Sequence, residues 1–366
     1  MNFYEKIGII KEKAYSCEVV DKIKSSICLE NEHIVLYGAG IAGEAIYDIC
    51  KTIGITINAI CDTFRAGLFF KNEYTIISPK ELINSYKDSI IMICSVGSCN
   101  EIHDYLLKMG FCETQIILCP IKHNAFSSIQ IIEPHLIDYK RTYDLLEDEK
   151  SKELVIDRLE LFILDKELNI NTESDIYYEK GIIELDENEV FVDCGAYNGD
   201  SAQKFIAKTD GKYKSIHTFE PDEQLFEDSK IRLCGYHDVF INNCGVWNEE
   251  TTLYFRRMES DPAGSKISEA GNISVNVTSL DVYFETYNYE DLPTFIKMDI
   301  EGSERQALIG AKKIIKQKKP KLAICAYHKV DDLYVLPQTI LSIREDYRFF
   351  LRQYENGEYD TVLYAI

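Results

Sequence analysis

The stretch VFVDCGAYNGDS, residues 190–201, ends an apolar run with an acid and two glycines, which suits ligand binding. The apolar run predicts a buried strand and the residues after it predict a helix. The turn between them therefore lies at the carboxyl end of a strand, where open α/β sheets bind their ligands. Glycine lets a ligand approach the backbone, and the first helical turn offers free N–H groups. We expect Asp193, Gly195, Tyr197 and Gly199 to contribute to a binding site.

A further acid, Glu220, follows the next predicted strand in the sequence TFEPD. An acid at this distance from a glycine turn accepts hydrogen bonds from ribose hydroxyls, which predicts a ligand that contains a nucleoside. No Lys or Arg lies between residues 193 and 203, whereas Asp193 and Asp200 flank the glycines. Carboxylates repel a pyrophosphate but attract a positively charged group. The turn therefore favours S-adenosylmethionine, which carries a sulfonium.

Three more titratable residues are predicted at the same edge of the sheet. Asp299 and Glu301 follow the strand in IKMDIEGSE, and His328 ends the run KLAICAYH. If a hydroxyl is methylated, His328 is the first choice of base because its ordinary pKa lies near ~6.5, and Asp299 is the second choice. A divalent ion held by Asp299, Glu301 and His328 is an alternative. No metal site is assigned, because the twelve cysteines lack the close ligand pairs of a zinc site.

The N-terminal part of the chain holds another glycine turn, YGAGIAG, between a predicted strand and a predicted helix. Gly38, Gly40 and Gly43 have the spacing of a dinucleotide-binding turn, and Asp62 ends the following strand. We expect either NAD or a nucleotide-sugar to bind here, or a purely structural role for the turn. The region has no evident pair of residues for hydride chemistry.

Strands and helices alternate in both halves of the chain, which predicts two doubly wound α/β domains. The predicted boundaries are a helical lead-in at 1–30, a first domain at 31–125, a helical connector at 126–185 and a second domain at 186–366. The terminal runs YRFFLRQY and TVLYAI predict a hairpin, which places one antiparallel strand next to the edge of the second sheet. A single helix, SERQALIGAKKIIKQ, is predicted to begin with a capping box of Ser303 and Gln306.

The composition narrows the range of partners. A formal net charge of −21 disfavours nucleic acid and anionic lipid surfaces, because both would be repelled. No apolar run approaches the ~20 residues that cross a bilayer, and no secretory leader is evident. We expect a cytoplasmic protein that acts on a small molecule, with no nucleic-acid or membrane partner. An oligomer is compatible with the sequence.

Five blocks in the C-terminal half resemble the FkbM-type S-adenosylmethionine-dependent methyltransferases, namely VFVDCGAYNGDS, HTFEPDEQ, IKMDIEGSERQALIGAKKII, AICAYHKVDDLYVLP and DTVLYAI. ESDIYYEKGIIEL, just upstream, is similar to the entry segment of that family. The resemblance implies a class I methyltransferase sheet and O-methylation of a hydroxyl on a sugar, a nucleotide-sugar or a natural product. Residues 31–125 resemble the Rossmann-like domains of sugar-modifying enzymes.

The resemblance also implies roles for individual residues. It assigns cofactor binding to the glycine turn and to the acid after the second strand, and it places the D-x-E-G block beside the transferred methyl group. The segment Asn242–Trp247, with Asn243, corresponds to the stretch that lines the adenine. The residues concerned are Asp193, Gly195, Gly199, Glu220, Asn243, Asp299 and Glu301.

Two other classes of function remain open at the level of sequence. In one, the first domain carries the main activity as an NAD- or nucleotide-sugar-binding enzyme, and the second domain is regulatory. In the other, the chain is a scaffold without catalysis. Two intact glycine turns disfavour the scaffold, and the missing hydride-chemistry residues disfavour the oxidoreductase. We expect a carbohydrate as the acceptor of the methyl group.

Overall fold

A computed structural model describes residues 1–15, 23, 33–95, 98–119, 125–164, 175–256, 266–267, 273–287, 289, 291–357 and 359–366. The chain divides into two compact units. The N-terminal unit comprises Met1–Leu136 with Leu159–Lys166, and the C-terminal unit comprises Ile137–Arg158 with Glu167–Ile366. The predicted connector, 126–185, is thus shared between the two units. Of the predicted lead-in, residues 16–22 and 24–30 lie outside the described part of the chain.

The N-terminal unit is built on a four-stranded parallel sheet in the order β2-β1-β5-β6. Each of its inner strands is a short apolar run that is buried throughout, which is typical of a parallel sheet covered on both faces. The strands of this unit are β1 Ile34–Tyr37, β2 Ala59–Cys61, β3 Phe69–Phe70, β4 Tyr74–Thr75, β5 Ile90–Ile93 and β6 Ile116–Leu118. β3 and β4 form a separate antiparallel pair.

The part of the first 164 residues that the structure describes contains the helices α1 Phe3–Tyr15, α2 Ile41–Thr52, α3 Pro79–Ser85, α4 Cys99–Lys108, α5 Ala125–Ile132, α6 Leu136–Leu145 and α7 Glu149–Leu164. Glu113–Gln115 and Glu133–His135 are short 3₁₀ turns. Ser78 caps α3 through a capping box with Glu81, because its extended backbone turns the hydroxyl toward the Glu81 N–H. Within the described ranges, none of the helices combines the length and apolarity that a bilayer span requires.

The C-terminal unit contains a seven-stranded sheet in the order β16-β17-β15-β14-β7-β8-β9. Its strands are β7 Val190–Cys194, β8 Ser215–Phe219, β9 Val239–Asn242, β14 Phe295–Met298, β15 Lys321–Cys325, β16 Phe349–Gln353 and β17 Thr361–Ala365. β17 runs antiparallel to both of its neighbours, and the other pairs in the sheet are parallel. The predicted antiparallel strand next to the edge is therefore confirmed, and so is the α/β fold class with two doubly wound sheets.

A smaller sheet of β10 Gly245–Val246, β11 Thr251–Arg256, β12 Lys266–Ile267 and β13 Ile273–Thr278 also belongs to this unit, in the order β10-β13-β11-β12. The helices of the unit after residue 164 are α8 Asp200–Lys208, α9 Glu223–Arg232, α10 Leu280–Thr286, α11 Glu304–Gly310, α12 Lys312–Lys318 and α13 Asp332–Ile343. α8 directly follows β7 through the glycine turn, as the sequence predicts.

The single helix predicted over SERQALIGAKKIIKQ is wrong in two respects. It breaks into α11 and α12 at Ala311, whose backbone leaves the helical region with φ −106° and ψ 13°. Ser303 forms no capping hydrogen bond, since its backbone is helical (φ −95°, ψ 0°) rather than extended. Glu304 instead reaches back and accepts a hydrogen bond from the Ile300 N–H at 2.9 Å.

Candidate functional site

A cavity of about 370 Å³ opens where β7, β8 and β14 end, at the carboxyl edge of the large sheet. This volume lies within the range of small-molecule sites. Five residues singled out by the sequence line the cavity: Gly195, Tyr197, Glu220, Asp299 and Glu301. Four others, Asp193, Gly199, Asn243 and His328, are placed beside it without lining it. The structure therefore brings the blocks of the C-terminal half to one place.

The glycine turn is needed for contacts between backbone segments. Gly195 has φ +76°, and a Cβ on it would lie 1.8 Å from the carbonyl oxygen of Asp299. Gly199 has φ +82°, and its Cβ would lie 2.8 Å from Ser229 Oγ. The sequence predicts that these glycines let a ligand approach the backbone. In the structure, the atoms that approach them belong to Asp299 and Ser229. The turn holds β7 and the loop after β14 together. Gly195 and Tyr197 of the same turn line the cavity.

Asp193 is fully buried, and its Oδ1 lies 3.0 Å from the Nζ of Lys297. The two residues face each other in the register of β7 and β14, which explains the pair. Lys297 also donates to the Gly195 carbonyl at 2.6 Å. Although burial alone would lower the pKa of Lys297, the carboxylates of Asp193 and Asp299 raise it, so the ammonium remains charged. Asp193 thus fixes the turn from behind, through Lys297.

Glu220 is the acid that the cavity exposes beside the glycine turn. Its Oε2 accepts a hydrogen bond from Tyr197 N and its Oε1 accepts one from Asp222 N, both at 2.9 Å. A carboxylate has about four acceptor positions, so two remain for a ligand. Burial raises the pKa of Glu220 to about 7, although the two backbone N–H groups act to lower it. Asn243 donates to the Glu220 carbonyl at 3.0 Å, which holds the chain after β8 in place.

Asp299 and Glu301 present carboxylates to the cavity from the loop after β14. Tyr177 donates to Asp299 Oδ2 at 2.8 Å, and Tyr327 donates to Oδ1 at 3.3 Å. Burial alone would raise the pKa of Asp299, but the charges of Lys297 and His328 and the bond from Tyr177 lower it below its usual range. Glu301 adopts a left-handed backbone with φ 54°, a conformation that is uncommon outside glycine and that recurs at functional sites.

His328 is enclosed by acids, and its side chain is only 6% exposed. Its Nε2 lies 3.4 Å from Asp299 Oδ1, and its Nδ1 lies 3.1 Å from Glu304 Oε1. Burial would lower the pKa of the imidazole, yet the carboxylates of Glu301, Glu304 and Asp299 outweigh it and raise the pKa to about 10. In the absence of a metal ion the raised pKa favours the protonated ring, which does not suit the role of proton acceptor. The choice of His328 as the base stays a prediction.

The charge of the cavity wall follows from its lining. Five acidic side chains and two lysines line it: Asp200, Glu220, Asp299, Glu301 and Asp360, with Lys204 and Lys297. One of the two lysines, Lys297, is already paired with Asp193. Apolar side chains complete the wall, among them Phe219, Leu225, Val246 and Val277. The cavity is thus apolar in part and acidic in charge, which favours a ligand with a flat apolar portion and a positive group.

The reasoning from sequence missed Tyr177, Tyr327, Lys297 and Glu304. A signal for Lys297 existed, because a lone lysine in the apolar run FIKM faces a lone acid in the apolar run VFVDC. Buried charges are almost always paired, so two such runs in neighbouring strands predict an ion pair. Tyr177 belongs to the segment IYYEKG, whose contact with Asp299 spans 122 residues and has no local signature.

The glycine turn of the N-terminal unit is as close-packed as that of the C-terminal unit. A Cβ on Gly43 would lie 1.9 Å from the Gly38 carbonyl oxygen, whereas Gly40 has no atom within 4 Å of such a Cβ. Asp62 accepts three backbone hydrogen bonds, from Ala39 N to Oδ2 and from Phe64 N and Arg65 N to Oδ1. These bonds leave the carboxylate little capacity for ribose hydroxyls. NAD or a nucleotide-sugar at this turn stays a prediction.

A comparison with family models gives a match within the C-terminal unit. Residues 193–350 match the model described as the methyltransferase FkbM domain. The resemblance read from the five sequence blocks is therefore confirmed. A search of the curated proteins found no match.

A comparison with solved structures supports the fold through one match. A crystal structure of methyltransferase FkbM from Methylobacillus flagellatus KT is 23% identical, with a TM-score of 0.58, and the alignment covers 99% of this chain and 98% of that one. A precorrin-6y C5,15-methyltransferase from Geobacter metallireducens GS-15 is 10% identical over 53% of this chain and 95% of that one, with a TM-score of 0.33. Aeropyrum pernix fibrillarin, solved with bound S-adenosyl-L-methionine, is 12% identical over 51% of this chain and 71% of that one, with a TM-score of 0.32. The last two likenesses are too weak to carry an argument.

Proposed function

We propose that the chain is an S-adenosylmethionine-dependent methyltransferase that methylates a hydroxyl group of a small molecule, with a carbohydrate as the expected acceptor class. The observation that carries the proposal is the cavity at the carboxyl edge of the seven-stranded sheet, with Glu220 at the glycine turn and an acidic, partly apolar wall. The methyltransferase FkbM domain supports the same reading.

The residues present fit this methyl donor better than a dinucleotide. Glu220 keeps two free acceptor positions toward the cavity, which suits the two hydroxyls of a ribose. Phe219, Leu225 and Val246 supply apolar surface for an adenine. The excess of carboxylates over lysines attracts the sulfonium and the amino group but would repel a pyrophosphate.

We assign cofactor binding to Glu220, Gly195, Tyr197 and Asp299, which line the cavity. Asp193, Gly199 and Asn243 act behind them, because their contacts hold the turn and the end of β8 rather than facing the cavity. When bound, the donor would supply an electrophilic methyl group and leave as S-adenosylhomocysteine.

The carboxylates of Asp299 and Glu301 take the roles next to the acceptor hydroxyl. Tyr177 and Tyr327 fix the orientation of Asp299, which suits it to position the acceptor, and Glu301 is free of such bonds to tyrosine. We assign the acceptance of the hydroxyl proton to Glu301. Alignment of two reactants contributes about 7–11 kcal/mol, and a general base adds about 10²–10⁴-fold, so positioning is the larger effect.

The acceptor class follows from the same wall. Carboxylates accept hydrogen bonds from hydroxyl groups, and a ring of several acids suits a ligand with several hydroxyls. A neutral sugar or a hydroxylated natural product meets this requirement. An acidic acceptor does not, and a nucleotide-sugar meets it only if its pyrophosphate lies away from these carboxylates.

A thermal-shift panel tests the proposal on the full chain. S-adenosylmethionine, S-adenosylhomocysteine, NAD and a UDP-sugar are added separately to the unaltered protein and to Glu220→Gln, with Glu223→Gln on the exposed first turn of α9 as the matched control. We expect the first two ligands to raise the melting temperature of the unaltered chain and of Glu223→Gln, and to do so much less for Glu220→Gln. Stabilisation by NAD alone would overturn the proposal.

A further inference from the structure

Three side chains behind the cavity converge on one point. Asp299 follows β14, Glu304 begins α11, and His328 follows β15. Each offers a potential ligand atom, and these atoms all lie within 4.8 Å of one another. Ligand atoms at about 2.0–2.2 Å from one ion lie about 3–4.4 Å apart, so these three atoms need only a small adjustment to share an ion.

The second observation is that buried polar atoms in this cluster have no hydrogen-bond partner. The side chain of His328 is only 6% exposed, and neither of its ring nitrogens makes a hydrogen bond. Nδ1 lies 3.1 Å from Glu304 Oε1, so the two atoms are close without being aligned as donor and acceptor. Buried polar groups are normally satisfied, and an exception at close range calls for a missing partner.

Glu304 has the same deficit. Its side chain is 1% exposed, its Oε1 accepts the Ile300 N–H, and its Oε2 has no hydrogen-bond partner. A carboxylate oxygen that is buried and unpaired costs free energy unless a cation or a donor meets it.

The negative charges around this cluster favour a divalent cation over a monovalent one. Asp299, Glu301 and Glu304 surround a single imidazole, and the carboxyl of Asp332 is buried nearby. Two lysines lie nearby, but Lys297 is shared between Asp193 and Asp299, and Lys329 donates to the Gly302 carbonyl. The carboxylates therefore outnumber the positive charges around the imidazole.

We propose that Asp299, Glu304 and His328 bind a divalent metal ion, with Mn²⁺ as the best fit, beside the methyl-transfer cavity. Two carboxylates suit Mg²⁺ and Mn²⁺ alike, but the imidazole ligand favours the transition metal. The alternative metal site predicted from the sequence has Glu301 as its third ligand, beside Asp299 and His328. The structure points instead to Glu304, a member of the cluster whose Oε2 has no hydrogen-bond partner.

The ion would activate the acceptor hydroxyl for methyl transfer. This consequence rests on the proposed function. Asp299 belongs both to the cluster and to the cavity wall. A hydroxyl that takes an open coordination position loses its proton more readily, and Glu301, which is not among the three ligands, accepts that proton. The site therefore predicts a preference for acceptors that offer a chelating pair of oxygen atoms.

Electron paramagnetic resonance tests the site without substrate or methyl donor. MnCl₂ is titrated into the metal-free full chain, and the bound ion is examined by pulsed measurements for coupling to a nitrogen nucleus. We expect one bound Mn²⁺ per chain with coupling to one imidazole nitrogen. His328→Gln and Glu304→Gln should each weaken binding at least about tenfold, while His237→Gln, an exposed histidine beside Asp238, should leave it unchanged.

Two results would overturn the metal site: no bound Mn²⁺ at millimolar metal, or a bound ion without nitrogen coupling, which would leave the cluster as an ion-pair network. The nitrogen coupling is read on the unaltered chain, so it decides even if a variant fails to fold. Titration of S-adenosylhomocysteine into chelator-treated protein tests the methyl-donor site separately. Failure of one measurement therefore does not mimic failure of the other.

Discussion

The two glycine turns of this chain occupy equivalent places in their sheets and have different surroundings. Each follows the first strand of its unit's main sheet, and each contains a glycine whose Cβ would lie within 2 Å of a carbonyl oxygen. In the N-terminal unit, Asp62 is occupied by three backbone N–H groups. In the C-terminal unit, Glu220 accepts two and faces a cavity.

The difference shows what a glycine-rich turn reports. The close approach of backbone to backbone is what requires glycine in both units, and a ligand is a separate matter. Whether a turn binds a nucleoside depends on the capacity that remains on the acid after the second strand and on the presence of a cavity beside it. This criterion favours the C-terminal turn, where we propose the binding site.

The largest expected effect is a loss of stability when a close-packed glycine of these turns is replaced by alanine. Gly195→Ala places a Cβ 1.8 Å from the Asp299 carbonyl oxygen at a positive φ, and neither backbone can move away. We expect the free energy of unfolding of the C-terminal unit to fall by about 4 kcal/mol or more in urea titrations. Gly40→Ala is the matched control, because its Cβ meets nothing within 4 Å and its φ is −88°. A loss of under about 1 kcal/mol for Gly195→Ala would refute the packing argument.

The buried ion pair behind the turn gives the next largest effect. Asp193→Asn leaves the ammonium of Lys297 without its partner in the interior, which should cost about 3–5 kcal/mol of unfolding free energy. The control is Asp291→Asn, which removes an exposed pair with Lys214 at a similar distance, 2.8 Å, and should cost less than about 1 kcal/mol. The double variant Asp193→Asn, Lys297→Met should recover part of the loss. Equal losses for the two pairs would contradict the account.

The affinity for S-adenosylhomocysteine distinguishes the roles of Glu220 and Asp62, the acids beside the two glycine turns. Glu220→Gln removes charged hydrogen bonds to the ribose, each worth roughly 1.5–3 kcal/mol, so the dissociation constant for S-adenosylhomocysteine should rise about a hundredfold. Asp62→Asn should leave that constant unchanged, because Asp62 belongs to the other turn. Isothermal titration calorimetry on both variants measures the difference. A similar loss for both would remove the distinction between the turns.

The pH dependence of binding gives the smallest effect and identifies the group. The pKa of Glu220 is raised to about 7 by burial in the free protein, and ribose hydroxyls need its ionised form as acceptor. As the pH falls below 7, binding must expel a proton, so the dissociation constant should rise about tenfold per pH unit. Above pH 7 it should level off. Glu220→Gln should show no such slope, and a wild-type constant that is flat between pH 5.5 and pH 8, a span of about 2.5 units, would exclude the assignment.

Much of this architecture is readable from the sequence because it is local. Apolar runs that end in glycine predict the parallel strands, and the terminal runs around ENGEYD predict the antiparallel β17. The residues of the site are readable where they follow strands, as Glu220 and Asp299 do, since the carboxyl ends of parallel strands share one edge.

What the sequence does not reveal depends on backbone angles and distant contacts. Ser303 has the residue type of a helix cap, but its helical ψ turns the hydroxyl away, whereas Ser78 with ψ 159° forms the same motif. The pKa of His328 is raised by three carboxylates that the fold brings to it, so the ordinary pKa of a histidine does not describe this side chain. Tyr177 reaches Asp299 across 122 residues.

Calorimetry with S-adenosylhomocysteine on the unaltered full chain at pH 8 tests the central claim most directly. The account predicts saturable heat with one ligand per chain, and competition by S-adenosylmethionine but not by NAD. The absence of heat, or binding that NAD displaces, would contradict the assignment of the cavity beside Glu220 to a sulfonium methyl donor.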